Sequence, residues 1–120
     1  MNKPNILKEK TMLFAIRVVN LYKYLTSHSE FVMSKQLLRS GTAIGALVRE
    51  AEYGQSKKDF INKLSISVKE ANETEYWLEL LYQTKYLNEA EFTSMVNDEK
   101  EIIRMLIASI KTAKTNLTKP

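Results

Sequence analysis

The sequence predicts an all-α protein, an up-down-up-down antiparallel four-helix bundle, and three observations carry that reading. Apolar residues recur at helical spacing along four separate stretches. Only 3 glycines and 2 prolines occur in 120 residues, and Pro4 and Pro120 sit at the chain ends, so no interior proline interrupts a helix. The links between stretches are short, which makes consecutive helices antiparallel neighbours. With 44% apolar and 27% charged residues, the chain is long enough to bury a core as one domain over residues 1–120, with no internal repeat.

Helix one is expected over about 5–26, its stripe formed by Phe14, Val18, Leu21, Tyr22 and Leu25. The polar run 26–30 breaks it, with Phe31 and Met33 packing back from the connection. Helix two is expected over about 35–53 with Ser34 as N-cap. Its seam reads Leu37, Leu38, Gly41, Ile44, Gly45, Val48 and Ala51. Gly54 follows as a C′ residue, where glycine adopts positive φ freely. Helix three, about 57–86, starts after Ser56, with Asp59 placed as in a capping box. Its buried row is Phe60, Leu64, Ser67, Ala71, Thr74, Leu78 and Leu81, bordered by Trp77 and Tyr82. Helix four, about 89–116, follows a second capping box from Asn88 to Glu91. Phe92, Met95, Val96, Glu99, Ile102, Ile103, Leu106, Ile110 and Ala113 form its row.

Gly41 and Gly45 lie one turn apart on one helix face. Interior helical glycine costs about 1 kcal/mol relative to alanine, so two on one face, flanked by Ser40, Thr42, Ala43 and Ala46, point to close helix packing. A phosphate loop needs a different spacing and a following Lys-Ser/Thr.

Little here resembles catalytic machinery. With no cysteine, disulfides and thiolate metal sites are excluded. The one histidine, His28, lies in a polar link, and Leu25 stands where a Glu-x-x-His metal pair needs its glutamate. Among Glu70, Glu73, Glu75 and Glu79, Glu70 and Glu73 lie one turn apart and paired carboxylates can do acid–base work or hold Mg²⁺, but the stretch reads first as a solvated or interhelical ion-pair face. Arg39 and Glu50 border the small-residue seam; Arg39 suits either an ion pair with Glu73 or Glu75 or a phosphate contact. The expectation is no enzyme, no metal and no cofactor. The longest apolar run, 43–48, is too short to cross a membrane, and no signal peptide is evident, so the expected location is cytoplasmic.

The net charge is +4 but unevenly spread. Residues 1–58 carry ten Lys/Arg and four Asp/Glu, giving +6, and residues 59–120 carry eight and ten, giving −2. Such a split suits an acidic polymer, or association between unlike faces of copies.

The segment Gln36-Leu37-Leu38-Arg39-Ser40-Gly41-Thr42-Ala43-Ile44-Gly45-Ala46-Leu47-Val48-Arg49-Glu50-Ala51 resembles the signature of the S23 ribosomal protein family, four-helix bundles encoded in intervening sequences of bacterial 23S rRNA genes. Phe60-Ile61-Asn62-Lys63-Leu64 and the run from Glu70 to Leu78 look like that family's third helix. The accessory variability protein of diversity-generating retroelements looks like a relative of the family. The resemblance therefore implies the bundle fold, a ring homo-oligomer such as a pentamer, and association with RNA or DNA and with a protein such as a reverse transcriptase. On this reading Lys8, Lys10, Arg17, Lys23, Lys35, Arg39, Arg49, Lys57 and Lys58 are the candidate nucleic-acid contacts, with Tyr22, Tyr24 and Tyr53 placed to stack on bases. In the alternative, a protein-interaction scaffold, the same cations meet the acidic second half of a neighbouring copy.

Overall fold

The computed structural model describes the backbone of residues 3–118 and the side chains of residues 6–117. It holds four helices, α1 (Lys3–Ser27), α2 (Met33–Glu52), α3 (Lys57–Gln83) and α4 (Glu89–Thr118), and no strand among the described residues. Each packs antiparallel on the next, and α4 closes against α1, giving a bundle 55 Å long. The periodic residues read from the sequence form its centre. Phe14, Val18, Leu25, Leu37, Ile44, Leu64, Leu78, Leu81, Ile102 and Leu106 are essentially fully buried. The α1 stripe also extends a further two turns toward the N-terminus, through Thr11 and Leu7.

Polar side chains fix the register of α2 on α3. The Ser67 hydroxyl donates to the Ile44 carbonyl at 3.0 Å, and the Thr74 hydroxyl lies 3.0 Å from that of Ser40. All three hydroxyl residues are buried, and a buried hydroxyl without a partner costs about 1–3 kcal/mol. A slip of one helix on the other would therefore be penalised.

The two seam glycines of α2 face α1 with little room for a side chain. A Cβ on Gly41 would lie 2.7 Å from a Val18 methyl, and one on Gly45 3.1 Å from the Thr11 hydroxyl.

The helix starts divide into expected and unexpected. Asn88 and Glu91 form the reciprocal box, each side chain accepting the other's backbone N–H at 2.8 and 2.9 Å. Ser56 accepts from the Asp59 N–H at 3.1 Å, while Asp59 reaches the Gln55 N–H instead of closing the box on Ser56. Ser34 is not the N-cap of α2. It lies buried inside the first turn, donating to the Glu30 carbonyl, and the capping is done by Glu30. That carboxylate accepts the backbone N–H groups of Val32, Met33 and Ser34 at 3.2, 3.1 and 2.6 Å. Burial pushes the Glu30 carboxyl's pKa upward, but these hydrogen bonds outweigh it and hold the group below its ordinary 4.5. Because Glu30 takes the inward position in the link, Phe31 points out and is 60% exposed, against expectation, whereas Met33 packs on the core as expected.

Two helices end differently from the sequence reading. Gly54 does not have positive φ; among the described residues the left-handed ones are Ser29 (φ 67°) and Lys85 (φ 73°). At Gly54 a Cβ would lie 3.1 Å from both the Ala51 carbonyl and the Asp59 carboxylate, so crowding explains the glycine. After Ser29 the Glu30 N–H returns to the Leu25 carbonyl, and after Lys85 the Tyr86 N–H returns to the Leu81 carbonyl, both at 2.9 Å. These are Schellman ends, and the second stops α3 at Gln83 instead of Tyr86. A left-handed non-glycine residue costs about 1–2 kcal/mol. Lys85→Gly should therefore raise stability by about 0.5–1 kcal/mol, after the entropy glycine adds to the unfolded chain. A urea midpoint at or below the parent's would contradict this.

Candidate nucleic-acid interface

The nine candidate cations do not form one surface. Four are held in ion pairs: Lys8 with Glu52 at 3.0 Å, Lys10 with Glu101 at 2.9 Å, Arg17 with Asp98, and Arg39 with Glu73 at 3.8 Å. Arg17 also donates to the Ser94 hydroxyl. Exposed pairs of this kind contribute about 0–1 kcal/mol. The remaining five, Lys23, Lys35, Arg49, Lys57 and Lys58, are exposed and have no anionic partner among the described residues. Antiparallel topology puts Lys23 and Lys35 at one end of the bundle and Arg49, Lys57 and Lys58 at the other.

The latter end is strongly basic. A cut across the bundle at mid-height passes near residues 14, 45, 69 and 101, as the Gly45–Thr11, Ser67–Ile44 and Lys10–Glu101 contacts show. On one side, residues 6–14, 45–69 and 102–117 carry ten Lys/Arg and four Asp/Glu, giving +6. On the other, residues 15–44 and 70–101 carry six and ten, giving −4. Three of the four acids on the basic side are already engaged: Glu52 with Lys8, Glu50 with Lys63, and Asp59 in its turn. Lys111 and Lys114 of α4 reach this end too, although the sequence reading placed them in the acidic half. A sum of charge along the chain hides them, because α4 runs back to the basic end.

Tyr53 stands in the α2–α3 link that leads to Lys57 and Lys58, 78% exposed, and shares a surface groove with Arg49 and Lys63 as well as Glu50 and Asp59. Tyr24 instead stacks on His28 with ring centroids 4.2 Å apart, at the opposite end, and Tyr22 is half-buried.

Of the four carboxylates considered for chemistry, Glu73 and Glu75 are engaged, whereas Glu70 has one buried oxygen without a hydrogen-bond partner among the described residues. Glu73 accepts the Trp77 indole N–H at 3.1 Å, and Glu75 pairs with Lys100 at 3.2 Å. Glu50 pairs with Lys63 at 3.3 Å. Among the described residues, no group of three His, Asp or Glu is placed to hold a metal ion, and no helix is long and apolar enough to cross a membrane.

One acid stands apart. Glu99 lies in the apolar row of α4, fully buried, and neither carboxylate oxygen has a hydrogen-bond partner among the described residues. Burial, reinforced by the facing Glu75 carboxylate, pushes its pKa to about 8 against a weaker opposing pull from Lys100. Helical spacing places this glutamate in the core row but carries no information about its protonation.

Comparison with known proteins supplies two matches. The family described as 23S rRNA-intervening sequence protein matches residues 3–108. A crystal structure of a protein of unknown function from the S23 ribosomal protein family of Bacteroides thetaiotaomicron VPI-5482 is similar, with 59% identity and a TM-score of 0.90 over 91% of this chain and 98% of that one. Comparison with curated proteins returns no match.

Proposed function

Since the chain belongs to the 23S rRNA-intervening sequence protein family, we propose that it is a non-enzymatic, self-associating bundle that holds RNA or DNA without sequence preference through its basic end. The observation that carries this reading is the axial charge split, +6 against −4, with Arg49, Lys57, Lys58, Lys111 and Lys114 of the basic half unpaired among the described residues and Tyr53 exposed at the same end. Phosphate contacts supply sequence-independent affinity, and an aromatic face stacks on any base. No groove-entering motif is present to read base edges. Self-association is supported by the outer face of α1, where Met12, Leu13 and Ile16 turn away from the core and are about half exposed. Copies joined there would multiply the basic ends. The same axial split favours a second reading, a scaffold in which the basic end of one copy meets the acidic end of the next.

A mobility-shift titration separates the two. Binding at about 50 mM salt should weaken log-linearly as salt rises, with a slope near −0.9 per duplex phosphate contacted. Lys57→Glu with Lys58→Glu should weaken binding and flatten the slope while the helical signal is unchanged. No shift up to about 100 µM protein, the range of ordinary non-specific binders, would leave the scaffold reading. Light scattering tests assembly: a mass of 13.9 kDa, that of one chain, at tens of micromolar would remove self-association from both.

A further inference from the structure

At the basic end the four helices fail to close. They leave a cavity of about 360 Å³, walled by Leu7 of α1, Val48 and Ala51 of α2, Phe60 and Leu64 of α3, and Ala113 of α4. Packed interiors rarely leave voids larger than one water molecule, whereas ligand pockets begin near 300 Å³. The sequence explains the gap. Small residues occupy the facing positions on two sides, Ala51 and Gly54 around the end of α2 and Ser109 and Ala113 on α4, and the Phe60 ring does not span the distance.

The mouth has a different chemistry. Lys57 stands there with no anionic partner among the described residues, beside the Thr112 hydroxyl and the Asn116 amide, which have no side-chain partner among those residues either. The one acid in the lining, Glu52, is neutralised by Lys8 at 3.0 Å. An apolar chamber beneath an unpaired cation, in the +6 half of the molecule, complements a ligand with an apolar tail and a single anionic head.

We infer that this cavity is a binding site for an amphipathic carboxylate, its unbranched hydrocarbon tail between Phe60, Leu64 and Val48 and its carboxylate on Lys57. Each buried methylene of the tail adds to the affinity, so the tail supplies most of it. The lysine sets the preference for an acid over the matching alcohol. Lys57 is shared with the proposed nucleic-acid interface, but the apolar chamber wall is not, so the inference does not depend on nucleic-acid binding.

The test uses the full chain and decanoate, with decanol and butyrate as comparisons, followed by calorimetry or by displacement of an environment-sensitive dye. Decanoate should bind saturably at one site per chain, about tenfold tighter than decanol, and butyrate should not bind measurably. Lys57→Gln should bring decanoate down to the affinity of decanol. Ala113→Phe, which fills the chamber from α4, should abolish binding of both; Thr112→Phe does the same from the rim and serves if the first variant loses its helical signal. Absence of saturable decanoate binding overturns the inference. So does equal binding of decanoate and decanol, or undiminished binding in a folded variant with the chamber filled.

Discussion

The bundle is expected to lose stability steadily as pH rises from 5 to 8, and Glu99→Gln should remove most of that loss. The folded chain holds a proton on Glu99 up to about pH 8, whereas the unfolded chain releases it near the ordinary 4.5. Between those values the native state binds one proton more than the unfolded state, so stability falls with pH at about 1.4 kcal/mol per unit. The loss accumulates across the whole window, a large effect against the marginal stability of a small domain. Below 4.5 the sign reverses. Glu30, whose pKa is lowered, contributes stability above its unfolded value and loses it as acid protonates the carboxylate that caps α2. The parent should therefore be most stable near pH 5. Glu99→Gln keeps the shape and the neutral charge at every pH, so its urea midpoint should stay nearly level from pH 5 to 8 and exceed the parent's at pH 8. A parent midpoint independent of pH over this range would mean that Glu99 is ionised in the fold and has found a partner.

Glu99 also marks the limit of what periodicity reveals. The 3.6-residue pattern identified the buried rows, and in α3 it did so almost residue for residue from Leu64 to Leu81, because burial there is set by helix geometry alone. Links were harder to read, since their geometry depends on tertiary partners. Ser34 looked like a cap by residue type, yet the glutamate four residues earlier reaches all three N–H groups and also turns Phe31 outward. Ser29 and Lys85 end helices in the left-handed region without glycine, so residue type gave no signal. The candidate interface was half legible. Arg49, Lys57 and Lys58 were named from the sequence, but their separation from Lys23 and Lys35 is a property of topology. Arg17 and Lys10 turned out to be engaged by α4 carboxylates some 80 to 90 positions away in the chain. The small-residue seam of α2 was fully legible, because two glycines in one helix face have few explanations other than a close neighbour.

That seam gives the second large effect, graded by position and by size. In a free helix Gly→Ala gains about 1 kcal/mol, so a seam that tolerates a methyl group would be stabilised by alanine. At Gly41 the added Cβ would lie 2.7 and 2.9 Å from the two Val18 methyls. Val18 is fully buried and β-branched, with essentially one χ1 rotamer in a helix, so it has nowhere to turn. Overpacking of this kind costs about 1–3 kcal/mol, which outweighs the propensity gain, and Gly41→Ala should be less stable than the parent. At Gly45 the nearest atoms are 3.1 to 3.4 Å away and belong to Thr11, so a shift of a few tenths of an ångström suffices. Gly45→Ala should lie close to the parent, the gain and the strain nearly cancelling. Leucine at either position exceeds any such adjustment. At Gly45 it would also force the Thr11 hydroxyl from its 3.0 Å bond to the Lys8 carbonyl and drive α1 off α2, with a loss at the upper end of that range or beyond. Urea unfolding of the four variants, with slopes equal to the parent's, gives the ranking directly. If Gly41→Ala proves as stable as Gly45→Ala, Val18 does not confine that face and the α1–α2 approach is looser than these distances imply.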